Sequence, residues 1–174
     1  YSSSGSSWTH STANAQWAAR DSHTSLVFDS KMWVIGGFVA TRRNDVWYSS
    51  DGITWTQSTA NAQWAARDGH TSLVFNDGTN RMWVIGGTRG TFLNDVCHST
   101  DGTTWTQSTA NSQWVARSLH TSLVFDSKMW VIGGFDGANK YNDVWYSTSG
   151  SSWTQATANS QWAERQQHAS LVFG

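Results

Sequence analysis

The stretch "HTSLVFDSKMWVIGGF" at residues 23–38 holds two runs that read as β-strands. "HTSLVF" (23–28) mixes β-branched and aromatic residues, and "MWVIGG" (32–37) is apolar without alternation, as expected of a strand buried on both faces. Both runs return. "HTSLVF" stands again at 70–75 and 120–125, with "HASLVF" at 168–173, and "MWVIGG" stands again at 82–87 and 129–134. After each Gly pair comes a third run, "NDVWYSS" (44–50), varied as "NDVCHST" (94–100) and "NDVWYST" (142–148). A fourth follows, "TWTQS" (54–58 and 104–108) or "SWTQA" (152–156), whose single Trp suits an outer strand with one wet face.

Aligned on Trp8, Trp55, Trp105 and Trp153, the repeats are 47, 50 and 48 residues apart. The length differences fall in two places, "NDGTNR" (76–81) against "DSK" (29–31), and the stretch after the third Gly pair. Insertions confined to two spots mark those spots as loops. "SDG" (50–52), "TDG" (100–102) and "TSG" (148–150) suit hairpins between strands three and four, and "NDG" (76–78) suits one between strands one and two. Four antiparallel strands per repeat, with the inner ones buried on both sides, is the pattern of a β-propeller blade. The phrase "TANAQWAAR" (12–20 and 59–67), varied as "TANSQWVAR" (109–117) and "TANSQWAER" (157–165), is then the link from one blade's outer strand to the next blade's inner strand. A single helical turn is expected within it.

The chain has 174 residues, a net charge of −1 and no basic stripe, which argues against nucleic acid as a partner. No run of 18 apolar residues offers a membrane span. Thirteen Trp imply an aromatic-rich core or a surface built for stacking. Trp33, Trp83 and Trp130 sit inside apolar strands and read as core, and Trp17, Trp64, Trp114 and Trp162 read as packing between blades. Cys97 is the single cysteine and stands where Trp47 and Trp145 stand in the other repeats, so it reads as a buried free thiol.

These residues carry a resemblance. R-x-x-H, an apolar strand, "MWVIGG", "NDVWY" and a closing Trp together look like the kelch repeat of galactose-oxidase-type β-propellers. The resemblance spans essentially the whole chain. It implies an all-β fold of four-stranded blades, with "HTSLVF" innermost and lining the channel and "TWTQS" outermost. "SSDGITW" (49–55) and "STDGTTW" (99–105) are also similar to the Asp-box hairpin of sialidase-type propellers, with Ser149 and Ser4 replacing the Asp in the other copies.

The expected organisation is a single propeller portion over 1–174, with repeats 8–54, 55–104 and 105–152 and a partial repeat made of 153–174 with 1–7. Residues 1–7 align with 146–152 and residues 153–174 with 105–126, so the equivalent of 127–145 is missing from that fourth repeat. The chain therefore reads as three blades plus parts of a split or truncated one. It would belong to a longer array or to an oligomer that pools blades.

Two sets of residues are candidates for binding. Arg20 and His23, Arg67 and His70, Arg117 and His120, and Arg165 and His168 would ring one mouth of the channel. They could hold an anion or glycan there, or they could fasten the blades. The loops after the Gly pairs, "FVATRR" (38–43), "TRGTFL" (88–93) and "FDGANKY" (135–141), differ although their surroundings are nearly copied. Varied loops on a repeated frame are where recognition sits, and these carry Arg42, Arg43, Arg89, Phe92, Lys140 and Tyr141. Glu164 is the only glutamate, and no nucleophile with its base is evident, so no catalytic residue, cofactor or metal is expected. The expected function is a non-enzymatic binding or structural module, for protein interaction or surface display, at an extracellular or cell-surface location. The alternatives are a lectin-like propeller that binds glycans, or a fragment of a propeller enzyme with its catalytic residues elsewhere.

Overall fold

The computed structural model describes residues 1–173. It contains twelve strands in three antiparallel four-stranded sheets and, among the described residues, no helix. Blade 1 is β1 (Thr24–Phe28), β2 (Lys31–Val39), β3 (Thr41–Ser49) and β4 (Thr56–Thr59). Blade 2 is β5 (Thr71–Asn76), β6 (Asn80–Thr88), β7 (Phe92–Ser99) and β8 (Thr106–Thr109). Blade 3 is β9 (Thr121–Phe125), β10 (Lys128–Phe135), β11 (Lys140–Ser147) and β12 (Thr154–Thr157). In each sheet the spatial order follows the chain, and β5 lies against both β1 and β9, so the first strands are innermost.

The registers repeat. Trp33 faces Leu26 and Tyr48, and Trp83 faces Leu73 and His98, as Trp130 faces Leu123 and Tyr146. The ladder between strands two and three slips at each Gly pair. Gly36 and Gly37 both have positive φ, which favours glycine. A Cβ on Gly37 would lie 2.7 Å from Asp21 O and from His23 Cβ, and one on Gly36 would lie 3.0 Å from His70 Cε1 of the next blade. The Gly pair thus makes room for two histidines, one from its own blade and one from the next.

Blades stack through two cores of matching composition. Each blade has a trailing face toward the next blade and a leading face toward the preceding one. Between blades 1 and 2, Phe28, Trp33, Ile35 and Val46 of the trailing face meet Trp64, Met82, Val84, Cys97 and Trp105. Between blades 2 and 3, Phe75, Trp83, Ile85 and Val96 meet Trp114, Met129, Val131 and Trp153. Cys97 packs in the first core where Trp145 packs against the second, and burial pushes its thiol up to about 12, so it is an inert filler. Trp33 leaves no room for a Cβ on Gly102, which would lie 2.1 Å from its ring, and Trp83 stands the same way over Gly150. Trp130, expected in the core, is only half-buried, because its side of blade 3 carries no complete blade.

The link "TANAQWAAR" holds no helical turn; it is an irregular, bent crossing pinned by side chains. Asn44 of blade 1 donates from Nδ2 to Ala62 O and Trp64 O at 3.0 and 3.3 Å. Gln63 Oε1 accepts the backbone N–H of Trp105 at 2.6 Å. Trp64 packs edge-on against Trp105, and Trp114 against Trp153 in the same way. Trp64 and Trp114 are buried, whereas Trp17 is half-buried and Trp162 is exposed.

Backbone bonds near both ends of the chain repeat those of the blades. Thr9 N–H donates to Tyr1 O at 2.8 Å, and these residues correspond to the Tyr48–Thr56 pair of β3 and β4. At the other end Arg165 N–H donates to Tyr141 O, Gly134 N–H donates to Arg165 O, and His168 lies at Thr121.

Candidate functional site

The Arg–His set sits where each link enters its blade. Arg67 is fully buried. Its backbone belongs to the preceding blade, donating to Arg43 O and accepting from Gly37 N–H, both at 3.0 Å. Its side chain belongs to its own blade. Nη1 and Nη2 grip both oxygens of Asp95 at 2.7 Å, and Nη1 also donates to Gly86 O at 2.9 Å. Arg117 repeats this with Asp143 and Gly133 O, and Arg20 with Asp45 and Gly36 O. Burial works against ionising Asp45, but hydrogen bonds from Arg20 and Trp47 outweigh it and hold the carboxyl below its ordinary range. Arg165 is exposed, and its Nε donates to Ala163 O.

The histidines connect neighbouring blades. His70 Nε2 shares a hydrogen bond with Thr24 Oγ1 at 3.0 Å, His120 with Thr71 at 3.0 Å, and His168 with Thr121 at 3.2 Å. Burial first, and then the adjacent Arg67 or Arg117, lowers the pKa of His70 and His120 to about 3. They are neutral at any ordinary pH and cannot contribute charge to an anion site. Beside them runs a backbone chain from blade to blade: Gly69 N–H to Ser22 O, Leu119 N–H to Gly69 O, and Gln167 N–H to Leu119 O. Three of the four arginines in this set are thus committed to internal carboxylates.

The varied loops form a continuous rim at the same end of the blades. They are the β2–β3, β6–β7 and β10–β11 hairpins. Arg42 pairs with Asp68 of the following link. Phe92 meets Phe135 edge to face, with ring centres 6.0 Å apart, and lies against Gly137. Tyr141 donates its hydroxyl to Asp136 at 2.6 Å, and Arg117 lies 4.3 Å from its ring centre. Partial burial and that bond to Asp136 raise the Tyr141 hydroxyl to about 12. Arg43, Arg89 and Lys140 are exposed. The rim therefore presents three cations and an aromatic pair on a rigid frame.

The Asp of "ND" was not among the sequence candidates, although it is the partner of Arg20, Arg67 and Arg117. Its signal is the appearance of one such Asp in each of the three complete repeats, alongside a link Arg. Among the described residues no group of three His, Cys, Asp or Glu could hold a metal ion, and no helix is long and apolar enough to cross a membrane.

Comparison with known families gives one result that agrees with this geometry. The family model described as the KLHDC2/KLHL20/DRC7 Kelch-repeats domain matches residues 23–174. The chain belongs to the kelch-repeat family. No curated protein matches it. In this kelch chain the repeated residues now have roles. The Gly pair admits two histidines, the link Arg and the "ND" Asp lock each blade, and the His–Thr pair joins each blade to the one before it. Kelch-repeat domains are in general protein-interaction β-propeller modules.

Proposed function

We propose that this kelch chain binds a protein partner through the rim of the β2–β3, β6–β7 and β10–β11 hairpins. One observation supports the reading above others. Three hairpins of different sequence stand on frames of nearly the same sequence, and the second and third touch through Phe92, Phe135 and Gly137. The exposed Arg43, Arg89 and Lys140 suit a segment with carboxylates, and the Phe92–Phe135 pair suits an aromatic or aliphatic anchor beside them.

The test is selection of binders from a displayed peptide library on the immobilised chain. Binders are then measured on a variant in which 88–93 and 135–141 both carry the "FVATRR" sequence. Acidic–apolar peptides that lose about tenfold or more in affinity, roughly one anchor's contribution, support the reading. Peptides that bind both proteins alike remove it.

A further inference from the structure

We propose, resting on the hairpin reading above, that Leu119 is a specificity-determining residue of the rim. With Phe92 and Phe135 it lines an apolar seat at the junction of blades 2 and 3, which takes one bulky apolar side chain from an acidic peptide segment.

One dipeptide varies within the links. Between the link Arg and the blade His the chain reads Asp21–Ser22, Asp68–Gly69, Ser118–Leu119 and Gln166–Gln167, while the residues on either side barely change. In the three blades its first residue bridges the blade's own second strand, at Phe38, Thr88 and Phe135. Its second residue carries the backbone chain that steps from blade to blade inside the rim. That second residue has a left-handed φ in every copy, 51° in Ser22, 60° in Gly69, 57° in Leu119 and 56° in Gln167. Glycine takes this conformation freely, whereas the Cβ of a leucine crowds the following carbonyl. Gly69 makes the same chain bonds as Leu119 without that strain, so the frame does not require a leucine. Strain of this kind clusters where a side chain serves recognition.

Two side chains cross the junction of blades 2 and 3, and each runs over a glycine. Leu119, from the link into blade 3, lies over Gly69, where a Cβ would be 3.3 Å from its Cδ2. Phe92, from blade 2, lies over Gly137, where a Cβ would be 2.7 Å from its ring. Ser118 and Phe135 exchange backbone hydrogen bonds at 2.9 Å, so Leu119 follows directly on the residue paired with Phe135, whose ring meets Phe92. Leu119, Phe92 and Phe135 are all half-buried, so each keeps part of its surface open. The junction of blades 1 and 2 is built differently. There Gly69 stands where Leu119 stands, and Arg42 stands where Phe92 stands and pairs with Asp68. Equivalent positions make an ion pair at one junction and an apolar seat at the next.

Charge around the seat points to its occupant. Arg89 shares a hairpin with Phe92, Lys140 pairs with Phe135 in the ladder, and both cations are exposed. Asp68 holds Arg42, and Asp136 accepts from the N–H groups of Ala138 and Asn139 and from the Tyr141 hydroxyl. An apolar seat beside two exposed cations suits an apolar side chain flanked by carboxylates.

Selection of a displayed random peptide library, in parallel on the full chain and on Leu119→Gly, tests this. The full chain should enrich acidic peptides with one fixed bulky apolar position, and Leu119→Gly should enrich acidic peptides in which that position varies. For a binder from the first selection, Leu119→Gly and Ala at the peptide's apolar position should each weaken binding by about tenfold, and both together by little more, since each removes the same contact. Leu119→Asn, which also tolerates a left-handed φ, is the second variant and should lose as much. If both selections fix the same apolar position, or the two losses multiply, the proposal falls and the hairpin reading stands. A lowered melting temperature with unchanged peptide affinity makes Leu119 a packing residue and overturns the proposal as well. If neither protein enriches acidic peptides, the proposal and the hairpin reading fall together.

Discussion

Blades 2 and 3 carry the same six letters, "MWVIGG", in different surroundings. Trp83 of blade 2 is fully buried over Gly150 of the following hairpin, and its Nε1 donates to Phe75 O at 3.2 Å. Trp130 of blade 3 makes the same bond to Phe125 O, at 2.9 Å, but its outer side meets only the hollow closed by the 171–173 tail. The strand is dictated locally, whereas the burial comes from the neighbour. In a stacked-repeat protein stability is the sum of each unit and its interfaces, so identical residues differ in worth by position.

The largest test of this comparison is truncation of the two tryptophans. Trp83→Ala leaves a cavity between blades and should cost about 3–5 kcal/mol, read as the loss in urea-unfolding free energy. Trp130→Ala removes a side chain already half in solvent and should cost roughly 1–2 kcal/mol. Equal losses would break the comparison.

The link arginines give the next contrast. Arg67→Ala strands the Asp95 carboxylate in the interior and should cost about 3–5 kcal/mol, whereas Arg67→Met with Asp95→Leu should recover much of that loss. Arg165→Ala, in an exposed arginine with one side-chain bond to a backbone carbonyl, should stay within about 0.5 kcal/mol. Thermal unfolding of the four proteins side by side decides it.

Acid should act first on the buried histidines. Their folded pKa is lowered, so below the ordinary value of 6.5 the unfolded chain binds protons that the folded chain refuses. Stability is therefore full above about pH 6.5 and falls as pH drops toward 3, by about 1.4 kcal/mol per unit for each of His70 and His120. His120→Gln should remove one histidine's share of that slope. An unchanged slope would mean that the His–Thr contacts open before the blades do.

Much of this architecture was legible in the letters. Strand order and hairpin positions follow from period and turn chemistry, because those are local properties, whereas the innermost place of "HTSLVF" came from the resemblance to kelch repeats. The partner of each arginine was not. Arg67 and Asp95 are 28 residues apart in sequence, and "ND" beside a strand reads equally well as turn punctuation. Nor did the letters separate Trp83 from Trp130, since a continuous apolar run says that a strand can be buried, not that a neighbour is present. The link misled in the other direction. Ala, Gln and Arg favour a helix on their own, but Asn44 takes the Ala62 and Trp64 carbonyls that a helical turn would use, and the Gln63 side chain is held by the Trp105 N–H of the neighbouring hairpin.

The smallest effect concerns the strand three–four hairpins. In blades 1 and 2 an Asp closes the turn. Asp51 Oδ1 accepts from the backbone N–H groups of Ile53 and Thr54 and from the Ser49 hydroxyl, and these bonds hold its carboxyl below the ordinary range. Asp101 does the same with Thr103, Thr104 and Ser99. Blade 3 has Ser149, which accepts one long bond from Ser151 N–H, at 3.4 Å, and pairs with the Ser151 hydroxyl. Ser149→Asp should restore the two backbone bonds and raise thermal stability by about 0.5–1.5 kcal/mol, the usual net worth of one or two such bonds. Asp101→Ser should lose a similar amount. Because the gain depends on an ionised carboxyl with a depressed pKa, it should be full at neutral pH and vanish as pH falls through that depressed value. A gain that persisted in strong acid would place its origin in the unfolded chain rather than in the hairpin.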